Sequence, residues 1–97
     1  MNKLYHALSH PARRRVLKLL GNGPMTAGDL AAGFDVSRPT MSGHFNVLKD
    51  AGLIQAERDG ASIRYRLNVS VLEEAAAAIL DLIGAGEPTE QPQREET

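Results

Sequence analysis

The sequence predicts a mainly α-helical fold with a small β-hairpin, and three patterns in its 97 residues support this prediction. Apolar residues recur at helical spacing in five segments that turn-forming residues separate. Asp59-Gly60 lies between two strand-like segments, which indicates a hairpin. Residues 84–97 have no large apolar side chain and are rich in Glu, Pro and Gln. We therefore expect one folded domain at 1–83 and a disordered acidic tail at 84–97.

The first three helices are predicted from apolar spacing and end signals. Residues 2–9 carry apolar side chains at helical spacing, and residues 11–20 do so again after Pro11, which suits a first helical turn. A Gly-Asn-Gly-Pro turn at 21–24 ends the second helix. A Thr-Ala-Gly-Asp sequence resembles a capping box and predicts a short third helix at about 27–33.

The fourth helix has one apolar stripe and an unusual outer face. Ser37 is a good N-cap, and Gly52 marks the end of the helix. Met41, Phe45 and Leu48 fall at i, i+4 and i+7, so this stripe must face a core. An ordinary solvated face carries Glu and Lys, whereas this helix carries Arg38, Pro39, Thr40, Ser42, Gly43, His44 and Asn46.

The hairpin and a last helix complete the domain. Strands are expected at 53–58 and 61–67, and apolar residues alternate with Ser and Arg in the second strand, so that one face packs and the other is cationic. A final helix is expected at about 70–83, with Ser70 as its cap. Two helices joined by a short turn and followed by a hairpin make a winged helix-turn-helix, in the order α1-α2-α3-α4-β1-β2-α5.

The net charge of −1 hides an asymmetry along the chain. Residues 1–67 hold ten basic and five acidic side chains, whereas residues 68–97 hold one basic and seven acidic ones. A polyanionic partner explains the basic part, and chance imbalance in a small domain explains it equally well.

Composition narrows the remaining classes of function. The chain has no Cys, so disulfides and thiolate metal sites are excluded. It has no long apolar run and no signal peptide, which predicts a cytoplasmic protein without membrane insertion. Its Ser, His and acidic residues form no recognisable catalytic arrangement and no phosphate-binding Gly motif is present, so we expect no enzyme activity and no cofactor.

The outer face of the fourth helix suits double-stranded DNA. In a helix-turn-helix the second helix lies in the major groove, and small polar side chains let its backbone approach the base edges. Gly43 costs a helix about 1 kcal/mol relative to Ala. Close approach of this helix to DNA explains a glycine at this position, and close packing against another helix is the alternative explanation. His44 is alternatively solvated or bonded within the fold, and each wing arginine is alternatively part of a solvated strand face. One arginine of 13–15 is expected to be structural. The predicted DNA contacts are Arg13, Arg14, Ser37, Arg38, Pro39, Thr40, Ser42, Gly43, His44, Asn46, Arg58, Arg64 and Arg66.

Several motifs in order resemble the ArsR/SmtB family of bacterial and archaeal repressors, in particular its autorepressor (SdpR-like) branch. They are HALSHPAR at 6–13, MTAGDLA at 25–31, SRPTMSGH at 37–44, LKDAGL at 48–53, RDG at 58–60 and IRYRL at 63–67. The resemblance implies a homodimer with the first and last helices at the interface. The expected interface residues are Leu4, Ala7, Leu8, Leu72, Ala75, Ala76, Ile79, Leu80 and Ile83.

The chain departs from the metal-sensing members of that family. These members often use Cys pairs near the short helix, or Asp and His on the last helix, and this chain has neither set. His6 and His10 are four residues apart, but the break before Pro11 separates them and no third ligand is evident, so no metal site is expected.

The leading hypothesis is a sequence-specific repressor that binds a palindromic operator as a homodimer. An unidentified ligand or protein inducer, a membrane partner and simple autoregulation by concentration are the open alternatives for its release. A protein–protein module is the alternative, and the lack of aromatic anchors on the fourth helix argues against it.

Overall fold

The computed structural model describes residues 2–84. The predicted acidic tail lies outside them apart from Gly84, and the division of the chain at residue 83 stays a prediction. The elements are α1 (Asn2–Leu8), α2 (Pro11–Leu20), β1 (Met25–Thr26), α3 (Ala27–Ala32), α4 (Arg38–Asp50), β2 (Ile54–Asp59), β3 (Ser62–Leu67) and α5 (Val69–Leu82). The predicted order of helices and hairpin is confirmed, with one additional strand.

Polar side chains start the helices at the predicted N-caps of α3 and α4. Thr26 Oγ1 accepts a hydrogen bond from the Asp29 amide at 3.1 Å, and Ser37 Oγ accepts one from the Thr40 amide at 3.2 Å. At α2, His10 Nδ1 accepts from the Ala12 amide at 3.0 Å. Each bond satisfies an amide that has no partner within its helix.

The start of α5 corrects the sequence analysis. The N-cap is Asn68 rather than Ser70, and its Oδ1 accepts from the Val71 amide at 3.4 Å. The Asn68 amide also donates to the Leu53 carbonyl at 2.9 Å. This bond fixes Asn68 beside Leu53, so the helix begins one residue earlier than predicted, at Val69.

The sheet has three antiparallel strands in the order β1-β3-β2. The two-residue β1, which pairs Met25 with Tyr65, is too short to leave a pattern in the sequence. The hairpin turn is also shifted, because Asp59 still pairs with Ser62 and the loop is therefore Gly60-Ala61 rather than Asp59-Gly60. Gly60 has φ +66°, and a two-residue hairpin needs a positive φ at this first loop position.

One core joins the helices to the sheet. The largest fully buried side chains are Val16, Leu30, Met41, Leu48, Leu53 and Ile54. Phe45 packs against Tyr65 with ring centroids 4.8 Å apart. Met41, Phe45 and Leu48 are all buried, which confirms the predicted stripe and fixes the rotation of α4 about its axis.

Candidate nucleic-acid interface

The outward face of α4 is the polar face that the sequence indicated. Because the apolar stripe faces the core, the opposite face of the helix is open to solvent. Its exposed residues are Arg38, Pro39, Thr40, Ser42, Gly43 and Asn46. The only acidic residue of α4 is Asp50, at its last position. An anion can therefore approach the first three turns without meeting a carboxylate from this helix.

Ser37 and Thr40 are held together at the start of α4. Ser37 Oγ accepts from the Thr40 amide and donates to Thr40 Oγ1 at 2.9 Å. Both residues remain exposed. Capping is thus the local role of Ser37, and the start of the helix still presents polar groups to a phosphate.

Gly43 is not explained by packing within the chain. A Cβ built at Gly43 meets no atom of the described residues within 4 Å. Glycine in a helix interior costs about 1 kcal/mol relative to alanine. Close packing within the chain, the alternative explanation of this glycine, therefore finds no support in residues 2–84.

Arg13 was predicted to contact DNA phosphate, and this prediction was wrong. Its side chain is buried, with an exposed fraction of 6%. Nε donates to the Ala7 carbonyl at 2.9 Å, and Nη2 donates to the His6 carbonyl at 2.9 Å. Both carbonyls lie at the C-terminal end of α1, where the His6 carbonyl also accepts from the Ser9 amide at 3.1 Å, and a guanidinium buried against them is not available to a phosphate.

His44 was predicted to reach DNA, and it is instead buried within the fold. Its exposed fraction is 8%, because position 44 lies beside the apolar stripe that faces the core. Arg13 Nη1 donates to His44 Nδ1 at 3.2 Å. A guanidinium has only donors, so this hydrogen bond requires that His44 Nδ1 keep its lone pair, with the imidazole proton on Nε2.

His10 completes a small cluster around His44. The two imidazole centroids lie 4.5 Å apart, with planes tilted by 53°. Burial, followed by the nearby His10 and Arg13, lowers the pKa of His44 below its ordinary value. Sequence reasoning missed this cluster because its members come from α2, its N-cap and α4, which are far apart in the chain.

The exposed cations of α2 form a second basic surface. Arg14 is exposed and donates to the Leu8 carbonyl at 2.8 Å, which leaves the rest of its guanidinium open. The Arg15 guanidinium carbon lies 4.9 Å from the Phe34 ring centroid, a cation–π contact. Arg14, Arg15 and Lys18 line one open groove. Arg15 and Lys18 were not among the predicted contacts, although their i, i+3 spacing places them on one face.

The wing is less cationic than its arginines suggested. Arg64 Nη2 lies 2.6 Å from Asp59 Oδ2, and Arg66 Nη1 lies 2.5 Å from Glu57 Oε1. The acids of β2 thus neutralise the expected cationic face. Arg58 pairs with Ile63 in the register, is exposed, and makes no ion pair within residues 2–84. Exposed ion pairs contribute only about 0–1 kcal/mol, so a phosphate can replace either carboxylate.

The predicted dimer surface divides into core and exposed residues. Ala7 has no exposed surface in the single chain, which corrects its assignment to an interface, whereas Leu4 and Ala75 are mostly buried but line an open groove. Leu8 and Leu72 are half-buried, and Ala76 is exposed. The large exposed apolar residues at the C-terminal end of α5 and at its C-cap are Ile79, Leu80, Leu82 and Ile83, of which Leu82 was not among the predicted residues, and Val69 is exposed at the start of the helix.

Two further observations concern the described part of the chain only. No group of three or more His, Cys, Asp or Glu side chains between residues 2 and 84 is arranged to hold a metal ion. None of the helices described is both long and apolar enough to cross a membrane.

Comparisons with known proteins agree with this architecture. A helix-turn-helix domain model matches residues 8–55. The transcriptional repressor SdpR of Bacillus subtilis (strain 168) is 44% identical over 87 residues, which cover 90% of this chain and 97% of that protein. The biofilm growth-associated repressor of Agrobacterium fabrum is 34% identical over 82 residues, which cover 84% and 67%.

Solved structures show the same fold. The crystal structure of an ArsR family transcriptional regulator superposes with a TM-score of 0.78 at 30% identity and covers 84% of this chain and 89% of its own. An ArsR-like regulator from Rhodococcus sp. RHA1 gives a TM-score of 0.75 at 34% identity, with coverage of 88% and 79%. These relatives confirm the expectation of a regulator rather than an enzyme. The chain belongs to the ArsR/SmtB family of winged helix-turn-helix transcriptional regulators.

Proposed function

We propose that this protein is a sequence-specific DNA-binding repressor that acts as a homodimer on a palindromic operator, without a metal-sensing site. The observation that carries the proposal is the outward face of α4, which is polar, free of acidic residues before Asp50, and open at Gly43. The relatives named as repressors support the same function.

Four exposed side chains of this face suit base edges. Arg38 suits the O6 and N7 acceptors of guanine, and Asn46 suits the N6 and N7 groups of adenine. Thr40 offers a methyl group to thymine, and Ser42 offers a hydroxyl to either base or phosphate. Gly43 allows the helix backbone to approach the groove.

Phosphate contacts come from cations outside α4. Arg14 of α2 and Arg58 of the wing are exposed and outside the two wing ion pairs. Arg64 and Arg66 contribute when a phosphate replaces their carboxylate partners. Contacts of this kind set the register of the protein on the duplex and make its affinity depend on salt.

The homodimer is supported by the exposed apolar end of α5. Ile79 and Leu80 are 41% and 46% exposed, and Leu82 and Ile83 are more than 70% exposed. Full burial of one such side chain contributes about 1.5–3 kcal/mol. A second copy buries the same residues on both chains by two-fold symmetry. Two recognition helices related in this way require half-sites about 34 Å apart.

The proposal places the protein in the cytoplasm with the chromosome, and its inducer is a small ligand or a protein. The test is selection of bound duplexes from a random DNA library with EDTA present, together with sedimentation of the free protein. We expect an enriched palindrome and a dimeric mass. Retention of every duplex alike, at low salt only, would contradict sequence-specific binding.

Arg38→Ala tests the reading face, and Lys49→Ala is its matched control, because Lys49 is an exposed cation at the other end of α4. We expect Arg38→Ala to relax the preference at one base pair per half-site by about 1–3 kcal/mol. The selected sequence should be unchanged for Lys49→Ala.

A further inference from the structure

Arg13 connects three elements through one buried guanidinium. It belongs to α2, donates to the two carbonyls at the end of α1, and donates to His44 at the middle of α4. The direct link between α1 and α4 through this group depends on His44 Nδ1 as acceptor. Arg13 therefore positions α4 rather than touching DNA.

The proton on His44 decides whether this link exists. Nδ1 accepts from Arg13 only while it keeps its lone pair. An imidazolium would place an N–H donor against the guanidinium at the present separation of 3.2 Å, with two positive charges facing each other. The bond would then become a repulsion.

The surroundings of His44 offer no compensation for a positive charge. The charged or titratable groups that face it are Arg13 of α2 and His10, the residue that caps α2. The groups of α1 that contact Arg13 are the uncharged carbonyls of His6 and Ala7, and the His6 side chain is exposed. No charged group of strand β2 contributes to the lowered pKa of His44. Within residues 2–84, no carboxylate lies within 4 Å of this cluster's cationic atoms.

We propose that Arg13 and His44 form a pH-dependent latch, in which neutral His44 fastens the recognition helix α4 to α1 and protonated His44 releases it, weakening sequence-specific DNA binding. This inference rests on the proposed function, because it concerns the placement of the same DNA-reading helix. The latch goes beyond that function by giving the repressor a response to acidification.

The direction of the pH effect follows from linkage. An unperturbed histidine has a pKa of about 6.5, and the pKa of His44 is lowered in the folded chain. Below pH 6.5 the unfolded chain therefore binds more protons than the folded one. The contribution of neutral His44 to stability is complete above that pH and is lost as the pH falls below it. The folding constant then falls by at most tenfold per pH unit.

Urea unfolding of the full chain without DNA, between pH 7.5 and 5.5, tests the latch independently of the proposed function. His44→Asn removes the titration while its amide oxygen replaces Nδ1 as acceptor for Arg13. His6→Asn is the matched control, because it removes an exposed histidine outside the cluster. We expect wild type and His6→Asn to lose stability on acidification with the same slope, and His44→Asn to lose clearly less.

Operator affinity gives the second readout. For wild type and His6→Asn, we expect the dissociation constant of a selected duplex to rise severalfold from pH 7.5 to 5.5, with a smaller rise for His44→Asn. Ordinary attraction between a protonated histidine and phosphate predicts the opposite direction. Binding that strengthens on acidification, or equal unfolding slopes for wild type and His44→Asn, would overturn the latch.

Imidazole ¹⁵N NMR of the wild type decides the point even if His44→Asn fails to fold. We expect the Nε2–H tautomer for His44 at pH 7.5 and a titration midpoint below the ordinary histidine value of about 6.5. An Nδ1–H tautomer, or a midpoint at or above that value, would contradict the latch. Failure to find any preferred duplex at pH 7.5 would instead refute the proposed function and leave urea unfolding and imidazole NMR to decide the latch.

Discussion

Gly43 lies at the sixth position of α4, where helix stability and DNA approach make opposite demands. We expect Gly43→Ala to stabilise the fold, because a Cβ there meets no atom of the described chain within 4 Å and so adds no packing strain. The gain from helix propensity is about 0.5–1 kcal/mol. For a domain of this size, that corresponds to a rise in Tm of about 2–8 °C.

The same methyl group should weaken DNA binding. If the backbone at Gly43 approaches the groove closely, the added Cβ overlaps a base edge or sugar, and such overpacking costs about 1–3 kcal/mol. Specific affinity would then fall by about five- to 150-fold. The assay is thermal unfolding at a fixed protein concentration, paired with titration of the selected duplex by fluorescence anisotropy.

Gly28→Ala is the control for this prediction, because Gly28 is helical, belongs to α3 and also has open space at its Cβ. It should leave DNA affinity unchanged. If Gly43→Ala raised Tm and bound the duplex with wild-type affinity, close approach at Gly43 would be refuted and its glycine would remain unexplained.

Three further predictions concern the buried arginine, the apolar end of α5 and the wing. Arg13→Ala should destabilise the fold by about 2–4 kcal/mol in urea unfolding, since it leaves buried acceptors without donors, whereas Arg14→Ala should stay within about 0.5 kcal/mol. Equal losses for the two variants would contradict the structural role of Arg13. Leu80→Glu should shift the sedimenting species toward the monomer, and an unchanged mass would place the dimer contact elsewhere. Arg58→Ala should weaken binding of all duplexes alike and lower the salt slope by about 1, with Lys49→Ala as the unaffected control. A change in base preference instead would make Arg58 a base reader.

The periodic features of the fold could be predicted from the sequence because their signals are local. The stripe of Met41, Phe45 and Leu48 fixes which side of α4 is buried, and the Asp-Gly pair locates the hairpin to within one residue. The start of α5 was misplaced because Asn68 and Ser70 are both good caps. The backbone bond to Leu53, which decides between them, depends on the folded chain.

The errors at the candidate site have one geometric cause. Adjacent residues of a helix point about 100° apart, so Gly43 and His44 share a motif but not a surface. Gly43 faces open space, whereas His44 is held by Arg13, which lies 31 residues earlier in the chain. A contact of that separation leaves no periodic trace. Charge and hydrogen-bonding capacity alone therefore suggested DNA contacts for two residues that bond to each other.

The corrected site also gives a reason for the proposed dimer. Without His44, the side chains left to read bases on one α4 are Arg38, Thr40, Ser42 and Asn46, and only Arg38 and Asn46 can form bidentate pairs. Each such pair contributes about 1–3 kcal/mol of discrimination, or about 2–6 kcal/mol for one chain. Specific sites commonly exceed nonspecific DNA by about 4–10 kcal/mol. A dimer doubles the contribution of one chain to about 4–12 kcal/mol. If the proposed dimer forms through α5, its exposed apolar end is as necessary to sequence recognition as the polar face of α4, and Leu80→Glu should abolish preference for a palindrome even where single half-sites still bind.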